Sequence, residues 1–426
     1  MTKLTDRKSI FAWTMYDFAN SAFTTLVVTF IYGTYFVKAI AADEISGTVL
    51  WSRAVTVTAL TVALLSPYLG ALADRGGYRK QLLFMFTAIC VVGTACLYDI
   101  LPGQVLKALM VFVVANIAFE MCGVFYNAFL VDIAPSDRIG RISGYGWSLG
   151  YVGGLVAMAL AMIGFVSPET PWFGLTSEAG QNIRATNLLV AVWFGVFSIP
   201  MFLWVREKPK AKPPGLRRVF SEAGQQLVAT IGHIRQFREV AKFLLARMIY
   251  NDALVTIFAF GGIYAAGTFG FTFQEIMIFG IVLNVAAGAG AYVMGFIDDR
   301  LGGKTTIQIS NAGLLLVTIL AAVATSKAMF WVAGVFVGLL VGPNQSASRS
   351  LMGRFSPEAK KSQFFGFYAF SGKATAFVGP LLLGILTQVF ESQRAGIWVV
   401  AIMFAIGGLL LRRVNENVGI QAAASD

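Results

Sequence analysis

Gly70-Ala-Leu-Ala-Asp74-Arg75-Gly-Gly77-Tyr-Arg79-Lys80 interrupts an apolar chain, and its pattern returns as Gly295-Phe-Ile-Asp-Asp299-Arg300-Leu-Gly302-Gly-Lys304. Gly70 and Gly295 stand 225 residues apart, as do Asp74 and Asp299, and Arg75 and Arg300. A second match runs in step: Pro135, Gly144 and Gly150 recur as Pro357, Gly366 and Gly372, each 222 residues on. Two patterns repeating together across half of a 426-residue chain mean a duplicated unit. The residue types have physical reasons. Gly70 lets a neighbouring helix approach closely, and Gly77 permits a sharp turn. Asp74 suits the positive N-terminus of another helix or an Arg partner.

The unit is a membrane unit. Hydrophobic residues make up 57% of the chain and charged ones only 13%, against about a quarter charged in soluble proteins. Mean hydropathy is +0.71. The 36 Phe and 44 Gly agree, since both are common in membrane helices. Cys90, Cys96 and Cys122 fall in apolar runs and read as buried small hydrophobes. Breaks at charges, Pro and Gly give spans near 10–37, 50–73, 80–99, 104–132, 142–166 and 186–205, then 240–267, 273–297, 304–325, 328–350, 362–390 and 394–412. The fold class expected is an all-α polytopic membrane protein of 12 transmembrane helices in two six-helix repeats. Its parts are an N-terminal half, 1–205, a linker, 206–239, and a C-terminal half, 240–426.

The net charge of +11 would raise nucleic acid as a partner in a soluble protein. Here the basic residues sort by loop, which excludes that reading. Lys3, Arg7, Lys8, Arg75, Arg79, Lys80, Arg138 and Arg141, the stretch Arg206 to Arg238, and Arg300, Lys304, Arg354, Lys360, Lys361, Arg412 and Arg413 alternate with loops poor in Lys and Arg. The positive-inside rule places both termini and the linker in the cytoplasm. The first apolar run is too long for a cleavable signal. Short loops fit a bacterial inner membrane. Lys208-Pro-Lys-Ala-Lys-Pro-Pro-Gly215 reads as a surface tether, and 217–237 as either a basic amphipathic helix or a solvated segment.

A charge inside a span costs at least ~2.5–3.5 kcal/mol on insertion scales, so each needs a reason. Asp17, Asn20, Ser21 and Thr24 share one helix face in span 1; Asn116, Glu120, Gly123 and Asn127 do so in span 4. Span 7 opens with Arg247, Tyr250, Asn251 and Asp252, span 10 ends with Gln345 and Arg349, and span 11 carries Lys373. Trp147 and Tyr151 flank a Gly-rich face in span 5. Pairing that merely locks the bundle competes with a substrate site for Asp17 and Arg247; Glu120 and Lys373, deeper and in opposite halves, favour a site. Opposed charges suit a zwitterion, and a carboxylate freed from its partner would titrate and couple transport to protons.

The motif at 70–80 resembles the signature of the major facilitator superfamily between helices two and three. Longer stretches resemble one family within it, the vacuole-effluxer-like transporters related to the yeast vacuolar amino-acid exporter. They are Trp13-Thr-Met-Tyr16-Asp17-Phe-Ala-Asn20-Ser21, Tyr126-Asn127-Ala-Phe-Leu-Val-Asp132, Gly144-Tyr-Gly146-Trp147-Ser-Leu-Gly150-Tyr151, Tyr250-Asn251-Asp252 and Phe364-Phe365-Gly366-Phe-Tyr368-Ala-Phe-Ser371-Gly372-Lys373. Phe18 and Gly342-Pro343 depart from the family pattern, and Gly379-Pro380 matches the antiporter Gly-Pro pair in the wrong span. The resemblance implies that Asp74 meets the start of span 11 and latches a gate together with Gly70, Arg75, Gly77, Asp299 and Arg300. Asp132 is expected to pair with Arg75 or Arg141, while Arg79 and Lys80 read as topology signals.

The function expected is secondary active transport of a small polar, zwitterionic, amino-acid-like solute by alternating access, with proton coupling. The alternatives are an exporter of drugs or other metabolites and a transporter-like receptor without flux. An enzyme is not expected: His233 is the single His, and no nucleophile elbow or phosphate-binding Gly-Lys-Ser/Thr loop occurs. No cofactor or metal is expected. The partners are the lipid bilayer, a small-molecule substrate and protons, and the working unit is a monomer.

Overall fold

The computed structural model describes residues 6–207, 216–233 and 235–425. Lys3 and the tether Lys208–Gly215 lie outside them. Among the described residues, twelve helices are long and apolar enough to cross a membrane. Spans 1 to 6 are Arg7–Ile40, Glu44–Gly76, Arg79–Asp99, Val105–Ile133, Ile139–Val166 and Glu178–Trp204. Spans 7 to 12 are Arg238–Phe269, Gln274–Leu301, Gly303–Val323, Lys327–Arg354, Glu358–Val389 and Gln393–Arg412. A linker helix, Leu216–Gly232, and a C-terminal helix, Glu416–Ser425, complete the chain.

Several ends differ from the hydropathy reading because polar caps carry helices beyond the apolar run. Span 2 starts at Glu44 rather than 50, where Asp43 accepts the Ile45 and Ser46 N–H groups at 3.0 and 2.9 Å. Span 7 starts at Arg238, inside the expected 206–239 linker, though no side chain caps it there. Left-handed Gly77 (φ 67°) ends span 2, and Gly302 (φ 87°) follows span 8. Cys96 is exposed, unlike Cys90 and Cys122.

Two spans are irregular. Span 1 leaves the α-helix at Phe23 and runs as π-helix over Phe23–Phe30 and Phe36–Ile40. Thr24 therefore leaves the α-helical stripe of Asp17, Asn20 and Ser21, and it is exposed. Span 11 is two helices, Lys361–Lys373 and Val378–Val389, with a break at 374–377.

Packing repeats with the sequence. Span 1 packs on spans 5 and 6, and span 7 on spans 11 and 12; span 4 packs on spans 2 and 3, and span 10 on spans 8 and 9. The halves meet where span 2 crosses span 11 and span 8 crosses span 5. Glycine permits both crossings at backbone contact. A Cβ on Gly70 would strike the Ser362 carbonyl, and one on Gly144 the Ala291 carbonyl.

Candidate functional site

Three clusters of charge lie where the halves meet. The first is at the end carrying the linker helix, here the linker side. Asp74 accepts the backbone N–H groups of Ser362 and Gln363 at 3.1 and 2.8 Å, at the start of span 11. Asp299 accepts those of Gly140 and Arg141 at 2.8 and 3.3 Å, at the start of span 5, and also takes the Arg141 Nε–H. A carboxylate at a helix N-terminus is favoured by the dipole and by free N–H donors.

The cations of this cluster are not those expected. Asp132 pairs with Arg79 at 2.5 Å and with Lys361 at 2.7 Å, not with Arg75 or Arg141. Arg79 also reaches Asp74 at 3.4 Å, donates to Ser362 Oγ at 2.9 Å and lies over the Phe129 ring. It is a buried hub, which corrects the reading of Arg79 as a topology signal. Arg75 and Arg300 are exposed. Lys80 donates to the Val205 carbonyl at 2.6 Å, so it too is built into the structure.

The second cluster is one guanidinium shared by four spans. Arg349 donates to Asp17 at 2.8 Å and Asn127 at 3.3 Å, and to Ser143 Oγ and its carbonyl at 3.0 and 2.7 Å. Its plane lies near the rings of Trp13, Tyr126 and Trp147. Gly146 makes room, since a Cβ there would meet both Asp17 and Arg349. The sequence named Asp17, Asn127, Trp147 and Arg349 but missed Ser143, whose hydroxyl carried no signal among many Ser residues. Tyr151 lies beside Trp147, centroids 6.0 Å apart, and Asn20 and Gln345 are half-buried.

The third cluster surrounds the break in span 11, midway along the helices. Lys373 donates to Glu120 at 2.6 Å, joining the C-terminal half to the N-terminal half. Both side chains are partly exposed, 32% and 24%. Arg247 donates to the Tyr368 carbonyl and Ser371 Oγ, both at 2.8 Å, and stacks 3.6 Å over Tyr368. Asn251 donates to the Gly372 carbonyl at 3.3 Å. Asp252 accepts the Gly379 N–H at 2.9 Å. Span 7 thus sets a cation at the negative end of the first segment of span 11 and an anion at the positive end of the second. Tyr250 points elsewhere, to Ser348 Oγ at 2.8 Å. Further out, an apolar cavity of ≈ 190 Å³ lies among spans 7 to 10 and 12, with Phe30 of span 1 at its edge.

Among the described residues no three His, Cys, Asp or Glu groups gather as a metal site. What the clusters provide is charge that joins the halves.

The fold is similar to that of FucP, a Major Facilitator Superfamily transporter solved in the outward conformation, with TM-score 0.72 and 11% identity over 96% of this chain and 98% of that one. In sequence the chain is 28% identical to the uncharacterized MFS-type transporter YxiO of Bacillus subtilis, over 95% of this chain and 94% of that one. It is 22% identical to autophagy-related protein 22-1 of Penicillium rubens, over 88% of this chain and 76% of that one. Fold and relatives define a membrane transporter of the major facilitator superfamily, not an enzyme. Residues 35–424 match the family described as vacuole effluxer Atg22 like, and the chain belongs to that family.

Proposed function

We propose that the chain is a secondary active transporter that moves a small zwitterionic, amino-acid-like solute by alternating access, driven by a proton gradient. The observation that carries this reading is the Glu120–Lys373 pair: opposed charges, midway through the bundle, one from each half, both partly exposed. A zwitterion replaces such a pair without leaving a charge alone. Its carboxylate takes Lys373 and its ammonium takes Glu120, so the halves stay joined through the solute while their direct bond is broken. The Asp74 and Asp299 clusters close the linker side in this conformation. By the positive-inside rule that side is cytoplasmic, so the state is outward-facing with both termini inside. The near full-length likeness to a Bacillus protein supports a bacterial plasma membrane. The working unit is a monomer, since each half meets the other within one chain.

Purified protein in proteoliposomes is expected to accumulate label from a radiolabelled mixture of neutral amino acids under an imposed pH gradient. Glu120→Gln and Lys373→Met are each expected to reduce the initial rate at least tenfold. Undiminished rates in both variants would overturn the pair as the site. A second reading, export of lipophilic drugs or metabolites, is favoured by the apolar cavity among spans 7 to 10 and 12. It predicts that a lipophilic dye is moved and the amino acids are not.

A further inference from the structure

We infer that Asp252, rather than Glu120, carries the coupling proton. The inference rests on the proton-driven transport reading and names the group that would serve it. Glu120 has a cation at 2.6 Å. Asp252 has none: among the described residues no Lys or Arg nitrogen lies within 4.0 Å of it. It is 1% exposed and lies midway along span 7. Its Oδ2 accepts one backbone N–H, from Gly379, and its Oδ1 is buried without a partner.

The charges on the neighbouring elements are already committed. On span 7 itself, Arg247 is turned to the Tyr368 carbonyl and Ser371. Lys373 of span 11 is held by Glu120, and Arg349 of span 10 by Asp17. Tyr250 is bonded to Ser348. Spans 8 and 12 carry charge only near their ends. A carboxylate with a single hydrogen bond, buried at this depth, is strongly disfavoured as an anion. As a carboxylic acid it gains a donor on the oxygen that now has no partner. Gly379 packs against both Thr256 Oγ1 and Asp252 Oδ1, since a Cβ on it would touch each. The Thr256 hydroxyl donates to the Asp252 backbone carbonyl at 2.8 Å and gives Oδ1 no hydrogen bond.

The break in span 11 makes the group exchangeable. Gly379, which closes over Asp252, belongs to the second segment; the first is bonded to the other half through Asp74, Asp132 and Glu120. Rocking of the halves pulls the first segment away at 374–377 and admits water to Asp252. The acid then gives its proton to water on that side and is reprotonated from the other. One O–H bond breaks and re-forms, and nothing else changes.

The test is infrared difference spectroscopy of the full-length protein in nanodiscs across a pH step, reading the C=O stretch of a protonated carboxylic acid. The wild type is expected to show such a band, Asp252→Glu to displace it, Asp252→Asn to lack it and Glu120→Gln to keep it. A band that survives in Asp252→Asn, or is absent from the wild type, overturns the inference. Loss of the band on adding sodium chloride at constant pH also overturns it, because the site then holds a metal cation. The flux assay is separate. A wild type that moves no amino acid sinks the transport reading, while the band still decides what Asp252 holds.

Discussion

Arg79 sits between two carboxylates from different helices and a hydroxyl from the opposite half of the molecule. Removing it leaves Asp132 with Lys361 alone and takes from Asp74 the ion pair it makes with Arg79. Breaking one side of a buried ion pair costs about 3–5 kcal/mol. Arg79→Gln is therefore expected to lower the unfolding midpoint of the detergent-purified protein by several degrees, while Arg300→Gln, on an exposed residue of the same motif family, leaves it unchanged. Equal midpoints for the two variants would remove Arg79 from the hub. This residue also marks a limit of sequence reading. Asp17, Glu120, Arg247, Asp252, Arg349 and Lys373 were legible because the bilayer penalises each of them. Which acid meets which base was not, because Asp132 and Lys361 lie 229 residues apart, and only the crossing of the halves joins them.

Span 11 shows how an element's own sequence carries a break. Residues 374–377 are Ala, Thr, Ala and Phe, none of which stops a helix. The cause lies just beyond: Pro380 is the third residue of the second segment, where its missing N–H is one of the donors a helix start leaves unused anyway. Gly379 before it lets Asp252 and Thr256 close in on the backbone. The pair Gly379-Pro380 was visible in the sequence and was tied to no feature of this span; it is the mark of a helix restart. Pro380→Ala supplies the missing N–H and removes the ring that blocks a continuous ladder. Hydrogen exchange measured by mass spectrometry is expected to slow in peptides covering 374–382, and transport to slow with it. Unchanged exchange there would place the cause of the break in the span 7 charges instead. The linker helix belongs to this scale too. Only part of the basic 217–237 stretch is helix, and its buried face, Val219, Ala223, Gln226 and Thr230, lies over the seam of spans 2 and 11. There Gln226 donates to Gln363 at 2.7 Å.

At the scale of the molecule, the two offsets found in the sequence describe one latch built twice. Asp74 binds the N–H groups of residues 362 and 363, and Asp299, 225 residues on, binds those of residues 140 and 141, which precede 362 and 363 by 222. The repeat extends to residues that the pattern did not reveal. Glu207, just past span 6, accepts the Arg79 and Lys80 N–H groups at 3.1 and 2.8 Å; Glu416, just past span 12, accepts those of Gly303 and Lys304 at 3.0 and 2.9 Å. Because a pseudo-twofold relates the two crossings, opening the linker side must break both latches in one movement, and each adds to what holds it closed. A hydrogen bond to a charged group contributes about 1.5–3 kcal/mol. Neutralising either aspartate should then lower the ratio of closed to open molecules by roughly tenfold or more. The backbone N–H partners of the two sites are different residues, so the two losses should add. Spin labels at Ser136 and Ala359, both exposed on the linker side, with Cys96 replaced, read the separation of the halves. The wild type is expected to give one short distance. Asp74→Asn and Asp299→Asn should each add a longer one, and the double variant should be mostly long. A double variant that keeps the short distance would mean that the Gly70 and Gly144 backbone contacts close the linker side, with the carboxylates serving only to cap their helices.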